Sequence, residues 1–74
     1  MISPTFQNLK EDKKDRIIDA ALAEFAARPF NEASITNIVK NADISRGSFY
    51  QYFGNKENIY KYLVSYLYTK HRED

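Results

Sequence analysis

Seventy-four residues, 43% hydrophobic and 28% charged, allow one small globular domain. Its stability margin is thin, because a chain this short buries only about 60% of the surface its unfolded form exposes. The absence of cysteine excludes disulfides and thiolate metal sites, and two Gly with two Pro exclude a low-complexity or collagenous chain. The net charge of +1 hides a split. Residues 1–32 carry five basic side chains (Lys10, Lys13, Lys14, Arg16, Arg28) against six acidic ones, a balance of −1. Residues 33–72 carry six (Lys40, Arg46, Lys56, Lys61, Lys70, Arg72) against Asp43 and Glu57, a balance of +4. That asymmetry points weakly to an anionic partner for the later half, the alternative being solvated helix faces.

From the start of the chain, Met1 to Thr5 has neither the basic stretch nor the apolar core of a signal peptide. Residues 1–9 are expected to form a flexible arm. The longest apolar run, Ala20 to Ala23, is far below the roughly 18 residues of a membrane span. No membrane partner is expected, and the expected location is the cytoplasm.

A first helix follows the polar run Lys10 to Arg16, with Asn8 and Glu11 resembling a capping box. Ile17, Ile18, Ala21, Leu22 and Phe25 recur at three- and four-residue spacing and give it one apolar stripe. Pro29 pushes Arg28 out of helical geometry, so the helix should end near Ala27 with Phe30 folding back onto its end.

Ser34 is a good N-cap for a second helix, whose short apolar face is Ile35, Ile38, Val39 and Ala42. It should stop at Asp43, a residue type tolerated in left-handed turns. Ser45 caps a third helix, from Arg46 to Tyr52 or Phe53, which Gly54 closes. Asn55 caps a fourth, with Ile59, Leu63, Tyr66 and Leu67 as its buried stripe and a polar end, Thr69 to Asp74, that should fray. The fold class is therefore all-α: a three-helix bundle over residues 10–54 and a fourth helix over 55–74.

The third helix is too short to persist alone, since isolated helices under about 12 residues are marginal. Ile44, Phe49 and Phe53 are available to anchor it. Read from Ser34 to Phe53, the chain is helix, tight turn, helix, with Ile38, Ala42, Ile44, Phe49 and Phe53 as the locking core. That is the spacing of a helix-turn-helix, whose second helix enters the DNA major groove.

Arg46, Gly47, Ser48, Tyr50 and Gln51 face outward from this helix. Arg pairs bidentately with guanine and Gln with adenine, while Ser and Tyr serve bases or phosphates. Gly47 costs helix stability, so it either lets the backbone approach another surface or fits against the preceding helix. Lys56 opposes the macrodipole at the start of the fourth helix, where a cation beside unpaired N–H groups makes a phosphate clamp. Tyr52 and Thr36 could donate to the same phosphate backbone. Each has a plainer reading: a solvated Lys, a core Tyr and a helix-terminal Thr.

The run Ile44-Ser45-Arg46-Gly47-Ser48-Phe49-Tyr50-Gln51-Tyr52-Phe53-Gly54-Asn55-Lys56-Glu57-Asn58 resembles the signature of the tetracycline-repressor (TetR) family. Ile17 to Ala21, Phe25, Phe30, Ser34, Thr36 and Ile38 also match its first helices, so the resemblance covers roughly residues 10 to 68. The Phe-Tyr-x-Tyr-Phe-x-x-Lys-Glu spacing is its specific part. The resemblance implies base contacts by Arg46, Gly47, Ser48 and Tyr50, and phosphate contacts by Thr36, Ser45, Gln51, Tyr52 and Lys56. It further implies double-stranded DNA as partner, homodimers on inverted-repeat operators, a location at the bacterial nucleoid, and usually repression relieved by a small molecule in a second domain. No effector pocket is expected within these residues. Asp43 stands where the family usually has Gly, Glu24 where an apolar residue is common, and Val39 where a small one is.

Two other classes compete. A helical interaction module would dock a protein through the Tyr-rich last helix. An enzyme is poorly supported: His71 is the single histidine and lies in the polar tail, the carboxylates are scattered among lysines, and no phosphate loop or metal-ligand spacing occurs. No catalytic residue, metal or cofactor is expected.

Overall fold

Local stop and start signals divide the chain into helices as their chemistry requires. The computed structural model describes residues 2–72, with side chains through residue 69. Its elements are α1 (Pro4–Gln7), α2 (Glu11–Ala27), α3 (Ile35–Ala42), α4 (Arg46–Phe53) and α5 (Lys56–Arg72). The four helices expected from sequence are α2 to α5, and the all-α class is as predicted.

Three caps are made as the sequence suggests. Ser34 Oγ accepts from the Asn37 N–H at 3.1 Å, Ser45 Oγ from Ser48 N–H at 3.0 Å, and Asn55 Oδ1 from Asn58 N–H at 2.8 Å. Arg28 is extended (φ −141°, ψ 149°) ahead of Pro29, which ends α2 at Ala27, and Phe30 stacks on Phe25 at 6.1 Å. Asp43 turns the chain at φ 60°, ψ 47°, the one non-glycine with positive φ among the described residues. Gly54 ends α4 at φ 85°, where any side chain would be strained.

Two expectations are corrected. In place of a flexible arm over 1–9, Ser3 caps and Pro4 opens the one-turn helix α1, and Phe6 is fully buried. Burial of one large ring anchors a segment whose polar flanks suggested solvent. The Asn8–Glu11 capping box does not form, because Asn8 ends α1 and Lys10 precedes α2 without a side-chain cap. The polar end is helical as far as Arg72; the side chain of His71, like residues 73 and 74, lies outside the described residues.

The core runs through every helix: Phe6 of α1, Ile17, Ile18 and Ala21 of α2, Ile38, Val39 and Ala42 of α3, Phe49, Tyr52 and Phe53 of α4, and Ile59 and Leu63 of α5. Burying side chains of this size contributes about 1.5–3 kcal/mol each. Three of them on the eight-residue α4 offset its weak intrinsic helicity. From α2, Arg16 Nε donates to the Ala42 carbonyl at 2.7 Å, placing a cation at the C-terminal end of α3. No helix among the described residues is long and apolar enough to cross a membrane.

Candidate nucleic-acid interface

The turn at Asp43 sets α4 against α3. The Asp43 N–H bonds Lys40 O and Val39 O, and the Ile44 N–H bonds Val39 O at 3.1 Å. Val39 is buried, with its carbonyl closing the turn, so a larger residue here is accommodated. Below the turn Ile38, Ala42, Phe49 and Phe53 are buried and Ile44 packs partly buried against them, the predicted locking core.

What α4 leaves outside is a polar edge. Ser45, Arg46, Gly47, Tyr50 and Gln51 are exposed and Ser48 is half-buried. Ser45 Oγ also donates to Ser48 Oγ at 3.0 Å, so these two hydroxyls form one unit. Arg46 Nη1 donates to Thr36 Oγ1 at 2.7 Å, and Arg46 Nη2 to the Tyr50 hydroxyl at 3.2 Å. The guanidinium carbon lies 5.8 Å from the Tyr50 ring centroid. Arg46, Thr36 and Tyr50 are thus one cluster joining the start of α3 to the outer edge of α4. The Arg46–Tyr50 contact was detectable from its i,i+4 spacing; the Thr36 contact depends on the turn.

Gly47 has no packing reason among the described residues. A Cβ built there meets only Ser45 Oγ, at 3.8 Å, an ordinary contact. Of the two explanations for this glycine, a fit against the preceding helix is removed and close approach to an external surface is left.

Tyr52 belongs to the core. Its residue is 5% exposed and its ring packs on Phe6 at 5.9 Å and Phe53 at 6.1 Å, the plainer of its two readings. Lys56 is half-buried at the first position of α5. Its Nζ donates to the Ala33 carbonyl at 3.1 Å and sits 4.8 Å from the Phe30 ring centroid. These contacts offset the unfavourable dipole and leave further N–H donors on the ammonium.

Sequence reasoning missed a buried carboxylate behind the interface. Glu24, 5% exposed, accepts from the Ser34 N–H at 2.8 Å, Arg28 Nη1 at 3.1 Å and Asn37 Nδ2 at 3.2 Å. The Ser34 backbone bond, with Asn37 and Arg28, holds its carboxyl below the ordinary value of 4.5 against the opposing effect of burial. It fixes the N-terminus of α3, one residue before Thr36. Charged Arg four residues on was the signal available in the sequence.

Residues 17–63 match the family described as Bacterial regulatory proteins, tetR family. The chain is 38% identical over 60 residues to the uncharacterized HTH-type transcriptional regulator YuxN of Bacillus subtilis, covering 81% of this chain and 21% of that protein. It is 29% identical over 69 residues to IcaR of Staphylococcus epidermidis, the negative transcriptional regulator of the biofilm operon icaADBC, covering 82% of this chain and 37% of the relative. A solved TetR family transcriptional regulator from Chloroflexus aurantiacus superposes with a TM-score of 0.83 at 46% identity, over 88% of this chain and 30% of the other. The chain thus spans between a fifth and two fifths of the length of these relatives. Sequence, matched segment and superposed helices agree: the chain belongs to the TetR family of bacterial transcriptional regulators and carries its helix-turn-helix DNA-binding domain.

Proposed function

We propose that these residues are the operator-reading head of a homodimeric repressor, with α4 in the major groove of one half of an inverted repeat. The observation that carries this reading is the outer edge of α4. Arg46, Tyr50 and Gln51 stand exposed on a sealed apolar underside, beside a glycine that no internal contact requires. Arg46, Gly47, Ser48 and Tyr50 approach base edges, Arg46 as the bidentate guanine reader. Ser45, Gln51, Thr36, Lys56 and the hydroxyl end of Tyr52 lie towards the flanking phosphates, which set register without reading sequence.

Two copies would occupy half-sites one helical turn, about 34 Å, apart. Repression is carried over from IcaR, described as a negative regulator. We assign dimerisation and effector response to the parts of such regulators that these residues do not match, and the site of action to the nucleoid in the bacterial cytoplasm, with no enzymatic step.

An amide chemical-shift titration with short mixed-sequence duplex DNA at two salt concentrations tests this. The expected shifts lie on Arg46 to Gln51 and at the starts of α3 and α5, and weaken steeply with salt. Shifts confined to α5, or indifferent to salt, would instead favour protein docking through its tyrosines.

A further inference from the structure

We propose that Phe6 is a positioning residue for the DNA-reading helix, and that the N-terminal segment pins α4 from its buried side. The inference rests on the reading of α4 given above.

A base-reading helix must hold its side chains within a fraction of an ångström, and α4 has only eight residues with which to do so. Phe49 and Phe53 tie it to the bundle. Further support on the buried side comes from α1. Phe6 is 0% exposed, and its ring centroid lies 4.9 Å from Phe53, 5.9 Å from Tyr52 and 5.6 Å from Tyr62 of α5. One side chain therefore wedges between the base of α4 and the next helix.

The backbone adds a second tie. The Ser3 N–H donates to the Tyr52 carbonyl at 3.0 Å, while Asn58 Nδ2 takes the Phe53 carbonyl and the Gly54 N–H takes that of Tyr50 at 2.8 Å. The last four carbonyls of a helix have no partner within it. Here α1 satisfies one of them from outside. Ser3 as N-cap and Pro4 as first residue make the pin rigid enough to serve. Residues 2–9 precede the segment matched to the family, so this support is additional to the matched region.

Residue-resolved amide hydrogen exchange on the free chain, with Phe6→Ala, Phe6→Leu and Ser3→Pro, tests the pin. Ser3 already has φ −72°, so Ser3→Pro fits the backbone there and leaves the aromatic rings in place, while removing both the N–H that reaches Tyr52 and the Oγ that caps the Phe6 N–H, two parts of the same pin. Phe6→Ala should speed exchange in α4 at least about tenfold more than in α3, Phe6→Leu should restore most of the protection, and Ser3→Pro should act in the same direction more weakly. Preference for a duplex selected from a random pool over a mixed-sequence duplex should fall in the same order. If Phe6→Ala does not fold, Phe6→Leu and Ser3→Pro decide the matter. Equal acceleration in α3 and α4, or acceleration confined to residues 2–9, overturns the proposal. If no duplex binds at all, it is the DNA-reading assignment that fails, because the exchange result involves no DNA.

Discussion

Arg46 and Thr36, ten residues apart on different helices, are joined by a 2.7 Å hydrogen bond from guanidinium to hydroxyl. The Tyr50 hydroxyl takes a second guanidinium N–H. A long, flexible side chain at the interface is thereby restricted before any partner arrives, which lowers the ordering cost of binding. Two of its five N–H donors are used, so three remain for a partner. Thr36 in turn sits just past the α3 N-terminus that Glu24 anchors.

Arg46→Ala should relax preference at one base position by roughly 1–3 kcal/mol. Thr36→Val, which keeps shape and removes the hydroxyl, should weaken preference at that same position by less. In preference at that position the double variant should be no worse than Arg46→Ala, since there both act through one contact. Competition binding against duplexes varied one position at a time measures this. An even loss across all positions for Thr36→Val reports its phosphate contact; additive losses of preference at the Arg46 position would show that Thr36 does not act through Arg46.

Gly47→Ala separates stability from binding. The structure leaves room for the methyl group, with Ser45 Oγ at 3.8 Å. Alanine should therefore raise stability by about 0.5 kcal/mol, near the lower end of the helix-propensity difference because the site is in the first turn. A methyl group between the α4 backbone and a groove wall should lower DNA affinity several-fold. Chemical denaturation and duplex binding on the same variant check the opposite signs. Unchanged affinity would mean the glycine has no partner-facing purpose.

Helix limits were legible because their signals are local: Ser34, Ser45 and Asn55 cap the next residues, and Pro29 and Gly54 act on their immediate neighbours. The outward edge of α4 followed from its spacing for the same reason. Phe6 was not legible, since its partners Tyr52, Phe53 and Tyr62 come from the far half of the chain and only folding brings them to it. Glu24 reads as an intrusion in an apolar position until the Ser34 N–H and Asn37 amide are seen converging on it. Asp43 marks the intermediate case, where the turn was readable and the Arg46–Thr36 contact it creates was not.

Lys56 should have two separable effects. Its bond to the Ala33 carbonyl and its place over Phe30 tie the α5 start to the loop before α3. Lys56→Ala should therefore cost about 1 kcal/mol of stability. If its remaining donors meet a phosphate, the same change should weaken binding evenly across sequences and reduce the salt slope by about 1. Measuring denaturation and the salt dependence of binding side by side distinguishes them. A stability loss with an unaltered slope would confine Lys56 to the scaffold.

Glu24 makes the fold acid-sensitive, and the sign follows from its hydrogen bonds. The Ser34 N–H, Asn37 and Arg28 favour the charged carboxylate and set its folded value below the ordinary 4.5. The unfolded chain therefore takes up the proton first as pH falls. The stabilisation is complete above the ordinary carboxylate range and is lost progressively as pH drops through 4.5 towards the lower folded value. Glu24→Gln turns an amide N–H₂ towards donors that need an acceptor, so it should be less stable at neutral pH. The gap in Tm between wild type and Glu24→Gln should narrow on acidification through that range, because the protonated carboxyl no longer serves those donors better than an amide does. A gap that stays constant with pH would mean the carboxylate charge contributes nothing to holding α3, and with it Thr36 and Arg46, in place.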